Sequence, residues 1–170
     1  MTDLPSYHLI LDVDPVGGEE KAASVLDICR KTGAGLEDTV YVGDSITDVQ
    51  AFKLVRGGGG LSVSFNGNAY AIREAEVAIV SSDTVVTSVI AETFYKGGKE
   101  SVMELVDNWT LDHLKRTGFV HEYLIKELAR LFPSELPVVT RVTKENMSDV
   151  SQMSSKFRKT VRGEAIGTLG

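Results

Sequence analysis

Residues 40–49 read Val40-Tyr41-Val42-Gly43-Asp44-Ser45-Ile46-Thr47-Asp48-Val49. An apolar run stops at a glycine, an aspartate follows at once, and a second aspartate comes one helical turn later. The run has the β-branched and aromatic content of a buried strand, expected over 39–43, with a helix over 45–55. An open α/β sheet places its ligands at the carboxyl ends of its strands, which is where Asp44 falls. Asp48 comes round to the same side, because residues four apart share a helix face. Two carboxylates converging on one point repel unless a cation or proton lies between them. Hard oxygen ligands of this kind suit Mg²⁺, which takes one or two carboxylates and completes its shell with water and phosphate. Asp44 and Asp48 are therefore candidate metal ligands, and Mg²⁺ the candidate cofactor. The plainer account of the same residues is a helix start, with Asp44 as N-cap and Asp48 as a first-turn acid favoured by the helix dipole.

Outward from this stretch the pattern repeats. Residues 7–13 read as a buried strand ended by Pro15, Gly17 and Gly18. Residues 19–32 read as an amphipathic helix with Ala22, Val25, Leu26 and Cys29 on one side. Residues 61–65 alternate like a strand, Asn66-Gly67-Asn68 turns the chain, and 69–75, 77–80 and 84–95 read as helix, strand and helix. This β-α-β-α-β-α-β rhythm implies a parallel sheet with helices on its faces. After Gly97-Gly98 the character changes. Residues 99–132 carry helical periodicity, Pro133 and Pro137 break it, 138–142 reads as a short strand or extended segment, and 144–162 as a polar helix. The expected fold is an abbreviated Rossmann-like α/β core over 1–97 with a mainly helical extension over 98–170. The extension's apolar stripes need a surface: an exposed sheet edge of the core, or a second copy in a homodimer.

With 170 residues the chain suits one ordinary domain, and 42% hydrophobic residues can build a core. A net charge of −6 argues against nucleic-acid binding, which calls for a basic face. The single cysteine, Cys29, forms no intrachain disulfide and points to no oxidising compartment. No apolar stretch is long enough to span a bilayer, and the N-terminus lacks a signal-peptide pattern. A cytoplasmic protein that engages no membrane is the expectation.

Gly43-Asp44-Ser45-Ile46-Thr47-Asp48 resembles the fourth motif, GDxxxD, of the haloacid dehalogenase (HAD) superfamily. Lys21 resembles its third. Ser62 to Ala69, followed by Ile72 to Ala78, resembles the strand, Asn-Ala turn and short helix that follow motif four in Cof-type and archaeal HAD phosphatases. The resemblance covers about residues 8–95. It implies a HAD-like fold and Mg²⁺-dependent hydrolysis of a small phosphorylated substrate through an aspartyl-phosphate. It also implies that Lys21 clamps phosphate, that Asp44 and Asp48 hold metal, and that Asn68 contacts phosphate.

The nucleophile has two readings. Leu9-Ile10-Leu11-Asp12-Val13-Asp14-Pro15-Val16 fits the first motif, hhhDxDx[TV], which makes Asp12 the nucleophile and Asp14 the acid and base. Lys21 follows too soon for the segments that ordinarily intervene, however. On the other reading the true first motif is absent, and the chain is the carboxyl half of a phosphatase with an N-terminal partner chain. The alternative in another functional class is a catalytically incomplete HAD-like module that binds metal or phosphate, or serves in assembly.

The remaining polar features read as structural. Gly57 to Gly60 lacks the Lys-Ser/Thr ending of a phosphate loop. His8, His113 and His121 stand apart without ligand spacing. The basic run from Lys156 to Arg162 reads as a solvated helix face, or as a surface for self-association or an acidic partner.

Overall fold

A computed structural model describes residues 17–167, with side chains through Val161. The expected strand over 7–13, and with it Asp12 and Asp14, lies outside the described residues.

The helix α1 (Gly18–Thr32) ends on Gly33, whose φ of 76° closes the turn. Strand β1 (Val40–Gly43), helix α2 (Val49–Gly57), strand β2 (Leu61–Phe65), helix α3 (Ala69–Glu74) and strand β3 (Val77–Val80) follow. The helical region comprises α4 (Val85–Asp107), α5 (Leu111–Thr117) and α6 (Glu122–Leu131). Strand β4 (Val138–Arg141) and helix α7 (Met147–Gly167) complete the order. The sheet runs β1-β2-β3-β4. Its first three strands are parallel, with Val42 opposite Val63 and Val63 opposite Val77. β4 adds antiparallel to β3, with Val139 opposite Ile79. The fold is a Rossmann-like α/β sheet with flanking helices and a helical carboxyl-terminal region.

Alternation along the strands divides the core. Leu61, Val63, Val77 and Ile79 point to the face covered by α4, α5 and α6, where Val86, Ile90, Leu105, Leu114 and Leu128 are wholly buried. Ala78 points the other way, into a cluster with Ile72 of α3 and Val150 of α7. Tyr41 also faces that way, packing with Phe52, Ala71 and Ala75. Ser62 and Ser64 share this second face and are fully buried. The polar alternation of β2 thus reads like a half-exposed strand, yet both faces are covered, as parallel crossovers require.

The apolar faces of the helical region pack on the core. Val102, Leu105, Leu114, Ile125 and Leu128 belong to the same cluster as the sheet residues. Trp109 packs against that cluster and donates its indole N–H to the carbonyl of Pro137 at 2.9 Å. At the Gly97-Gly98 step, where the sequence changes character, α4 is broken by a kink in which Gly98 takes φ 72° and ψ −174°. That region of backbone space belongs almost wholly to glycine. Gly98→Ala is expected to cost about 1–3 kcal/mol of stability, read from the midpoint of urea unfolding. No helix among the described residues is long and apolar enough to cross a membrane.

Candidate active site at the carboxyl edge of the sheet

Gly43 ends β1, and a Cβ there would stand 2.5 Å from the carboxyl carbon of Asp48. The missing side chain lets Asp48 fold back over the strand tip. The chain reaches that position through a single 3₁₀ turn (Ile46–Asp48) before α2 begins, rather than through an α-helix starting at Ser45. Asp48 is only 3% exposed and collects five donors. Its Oδ1 accepts from Lys21 Nζ at 2.8 Å and from the Tyr41 hydroxyl at 2.9 Å. Its Oδ2 accepts from the backbone N–H of Asp44 at 3.0 Å, that of Ser45 at 2.9 Å, and Ser45 Oγ at 3.0 Å.

A buried charge with that many donors stays ionised. Burial pushes the Asp48 carboxyl up, but the Lys21 ammonium, the two backbone amides and the Tyr41 hydroxyl outweigh it and hold it at about 2. The Tyr41 phenol is raised above its ordinary range, first by burial and then by the Asp48 carboxylate. For an acid lowered from 3.8 to about 2, the stabilisation is present above pH 3.8 and is lost as pH falls toward 2. Its size at neutral pH is about 2 kcal/mol. Urea unfolding between pH 6 and 2 is expected to show this acid-labile portion in the wild type and to lack it in Asp48→Asn.

Lys21 sits in the first turns of α1 and is 30% exposed at its side chain. Its ammonium donates to Asp48 and to Thr47 Oγ1 at 2.9 Å. Three donors are available to an ammonium, and two of them are used among the described residues. Ser45 Oγ lies 3.0 Å from Thr47 Oγ1 and closes the network.

Asp44 does something different. Its carboxylate is 56% exposed and its Oδ2 accepts from Arg158 Nη1 of α7 at 3.0 Å. The same nitrogen donates to the carbonyls of Asp44 at 3.1 Å and Asn66 at 2.7 Å. The expected convergence of Asp44 and Asp48 on one cation therefore meets another geometry. Asp48 spends both oxygens on protein donors and orients Lys21, while Asp44 alone offers an outward carboxylate. Mg²⁺ fits this donor set through Asp44, with waters and phosphate completing the shell; Asp48 does not fit as a direct ligand. Among the described residues no group of three His, Cys, Asp or Glu side chains is arranged to hold a metal.

The asparagines after β2 mainly build the edge. Asn66, at φ 48°, donates to the Ser81 carbonyl at 2.8 Å and accepts from the Ser81 N–H at 2.9 Å, which ties the tip of β2 to that of β3. Asn68, expected to contact phosphate, caps α3 by accepting from the N–H groups of Tyr70 and Ala71 at 3.1 Å each. Its own N–H donates to the Asp44 carbonyl at 2.8 Å. Arg158, Tyr41, Ser45 and Thr47 are site residues that sequence reasoning did not single out. Tyr41 carried a faint signal, since it alternates against Val40 and Val42. Arg158 was legible only as one charge in the basic run at 156–162, and nothing in the sequence ties it to Asp44, 114 residues away.

No protein-family model matches the chain, and no curated protein matches it. Among solved structures it is similar to that of gene product AF1437 from Archaeoglobus fulgidus, with a TM-score of 0.66 and 27% identity. The match takes in 88% of this chain and 40% of that one, so the chain spans well under half of its structural neighbour. The likeness supports the α/β fold, helical region included.

Proposed function

We propose that the carboxyl edge of this sheet is the phosphate and metal site of a HAD-type, Mg²⁺-dependent phosphohydrolase, or of the half of one that carries motifs three and four. One observation carries the reading. Lys21 and the Gly43-to-Asp48 loop, 27 residues apart between Lys21 and Asp48, meet as a locked ion pair beside the strand tip that presents Asp44. A lysine held by two acceptors among the described residues has a third N–H to offer a phosphate oxygen, and its charge favours the anion without reorganising. The Asp48 carboxylate sets where that ammonium stands. Mg²⁺ on Asp44 would add neutralisation of the phosphate oxygens. Asp12 as nucleophile and Asp14 as acid and base rest on the resemblance alone. The substrate class is a small phosphate monoester.

The second reading, a module that binds without turning over, is favoured by Arg158, which already neutralises Asp44. Phosphate release from p-nitrophenyl phosphate, and melting temperature, measured with Mg²⁺ or with chelator, separate the two. The enzyme reading expects Mg²⁺-dependent release that Asp44→Asn abolishes. Metal-induced stabilisation without release supports the binding module. Neither effect would remove both readings.

A further inference from the structure

Arg158 is held in place by the half of α7 that precedes it. Val150 is buried against Ile72 and Ala78, and the buried hydroxyl of Ser154 donates to the Gly67 carbonyl at 2.7 Å. One turn later Arg158, 19% exposed at its side chain, reaches the tips of β1 and β2. Its three hydrogen bonds among the described residues leave from Nη1, to Asp44 Oδ2, the Asp44 carbonyl and the Asn66 carbonyl. An Nη carries two hydrogens, so three acceptors exceed what it can satisfy with separate bonds. One carboxylate and two carbonyls around a single point are also the donor chemistry of a hard divalent ion. Beside them lies a hollow of about 170 Å³ lined by Asp44, Asn66, Phe157, Arg158 and Val161. A water takes about 30 Å³, so a partly hydrated ion has room there.

We propose that Arg158 is a tethered counter-cation of Asp44 that competes with a divalent metal ion, so that metal loading requires the guanidinium to leave the oxygen cradle. The proposal rests on the reading of Asp44 as a metal ligand. A guanidinium and a divalent ion on one carboxylate repel each other at close range in a half-buried setting. Metal concentration sets which cation is in place. Release frees the end of α7 beyond Ser154, while Val150 and Ser154 keep the start of the helix docked.

Mn²⁺ binding to the whole chain, followed by electron paramagnetic resonance, tests this in wild type, Arg158→Met and Asp44→Asn. Methionine keeps an apolar stem and removes the charge. Arg158→Met is expected to bind Mn²⁺ about tenfold more tightly than wild type, within the usual range of coupling between competing sites, and Asp44→Asn to bind it weakly. Equal affinity in wild type and Arg158→Met, with Asp44→Asn still weakened, overturns the competition and leaves the metal reading standing. Absence of Mn²⁺ binding in both wild type and Arg158→Met overturns the two together. A readout free of any Arg158 variant is hydrogen exchange in wild type at saturating Mg²⁺. The amides of residues 155–161 are expected to exchange faster while those of 147–153 hold, and unchanged exchange throughout contradicts the proposal.

Discussion

Asp48→Ala is expected to lower the unfolding free energy by about 3–5 kcal/mol, the range for removing one partner of a buried ion pair. The argument is the donor count. Two backbone N–H groups, the Ser45 and Tyr41 hydroxyls and the Lys21 ammonium all converge on this carboxylate. Alanine leaves them facing a void that Gly43 cannot fill. Asp48→Asn keeps one oxygen and is expected to lose less, about 1–3 kcal/mol. Denaturant unfolding followed by circular dichroism measures both. A cost for alanine below 1 kcal/mol would show that water replaces the network with ease.

Lys21→Met removes the other end of the same pair and is expected to behave differently. Asp48 retains four donors without it, so the stability cost is about 1–2 kcal/mol. On the proposed phosphohydrolase reading, phosphate release is expected to fall much further. Losing a preorganised charge at the transition state costs about 10²–10³ in kcat/KM. Steady-state kinetics and unfolding on one preparation read out this asymmetry. Equal losses of activity from Lys21→Met and from a remote variant of matched stability would reduce Lys21 to a structural role.

Much of the architecture was legible because it rests on local chemistry. The runs at 40–43 and 77–80 are apolar and rich in β-branched residues, that at 61–65 alternates apolar with serine, the glycines and asparagines between them make turns, and their spacing admits parallel crossovers. Residues 98–131 were legible as helices whose apolar faces need a surface, the core's sheet edge or a second copy, but not as a cover for the sheet's face. Periodicity shows that a face is apolar and does not show what it meets. Leu105 and Leu128 bury against Val63 and Ile79 only once the topology is complete. β4 joined antiparallel to β3 for the same reason: Val138 to Arg141 is a strand because an edge was there to receive it.

The site was legible in its residues more than in their roles. Lys21, Asp44 and Asp48 all lie at the carboxyl edge. A spacing of four on a helix suggests two acids side by side, but the segment is a 3₁₀ turn, and Gly43 admits the second acid into the interior. Burial and donor supply, invisible in the spacing, then commit both Asp48 oxygens to protein donors and leave the Asp44 carboxylate at the surface, paired with Arg158. The basic run at 156–162 was legible as charge, but not that one of its members, Arg158, pairs with Asp44 of the same chain.

The most direct measurement of the central claim is release of inorganic phosphate from a panel of phosphate monoesters by metal-stripped protein to which Mg²⁺ is returned. The account predicts release that rises and saturates with Mg²⁺ and disappears in both Asp44→Asn and Lys21→Met. Release indifferent to Mg²⁺, or retained in full by either folded variant, would contradict it.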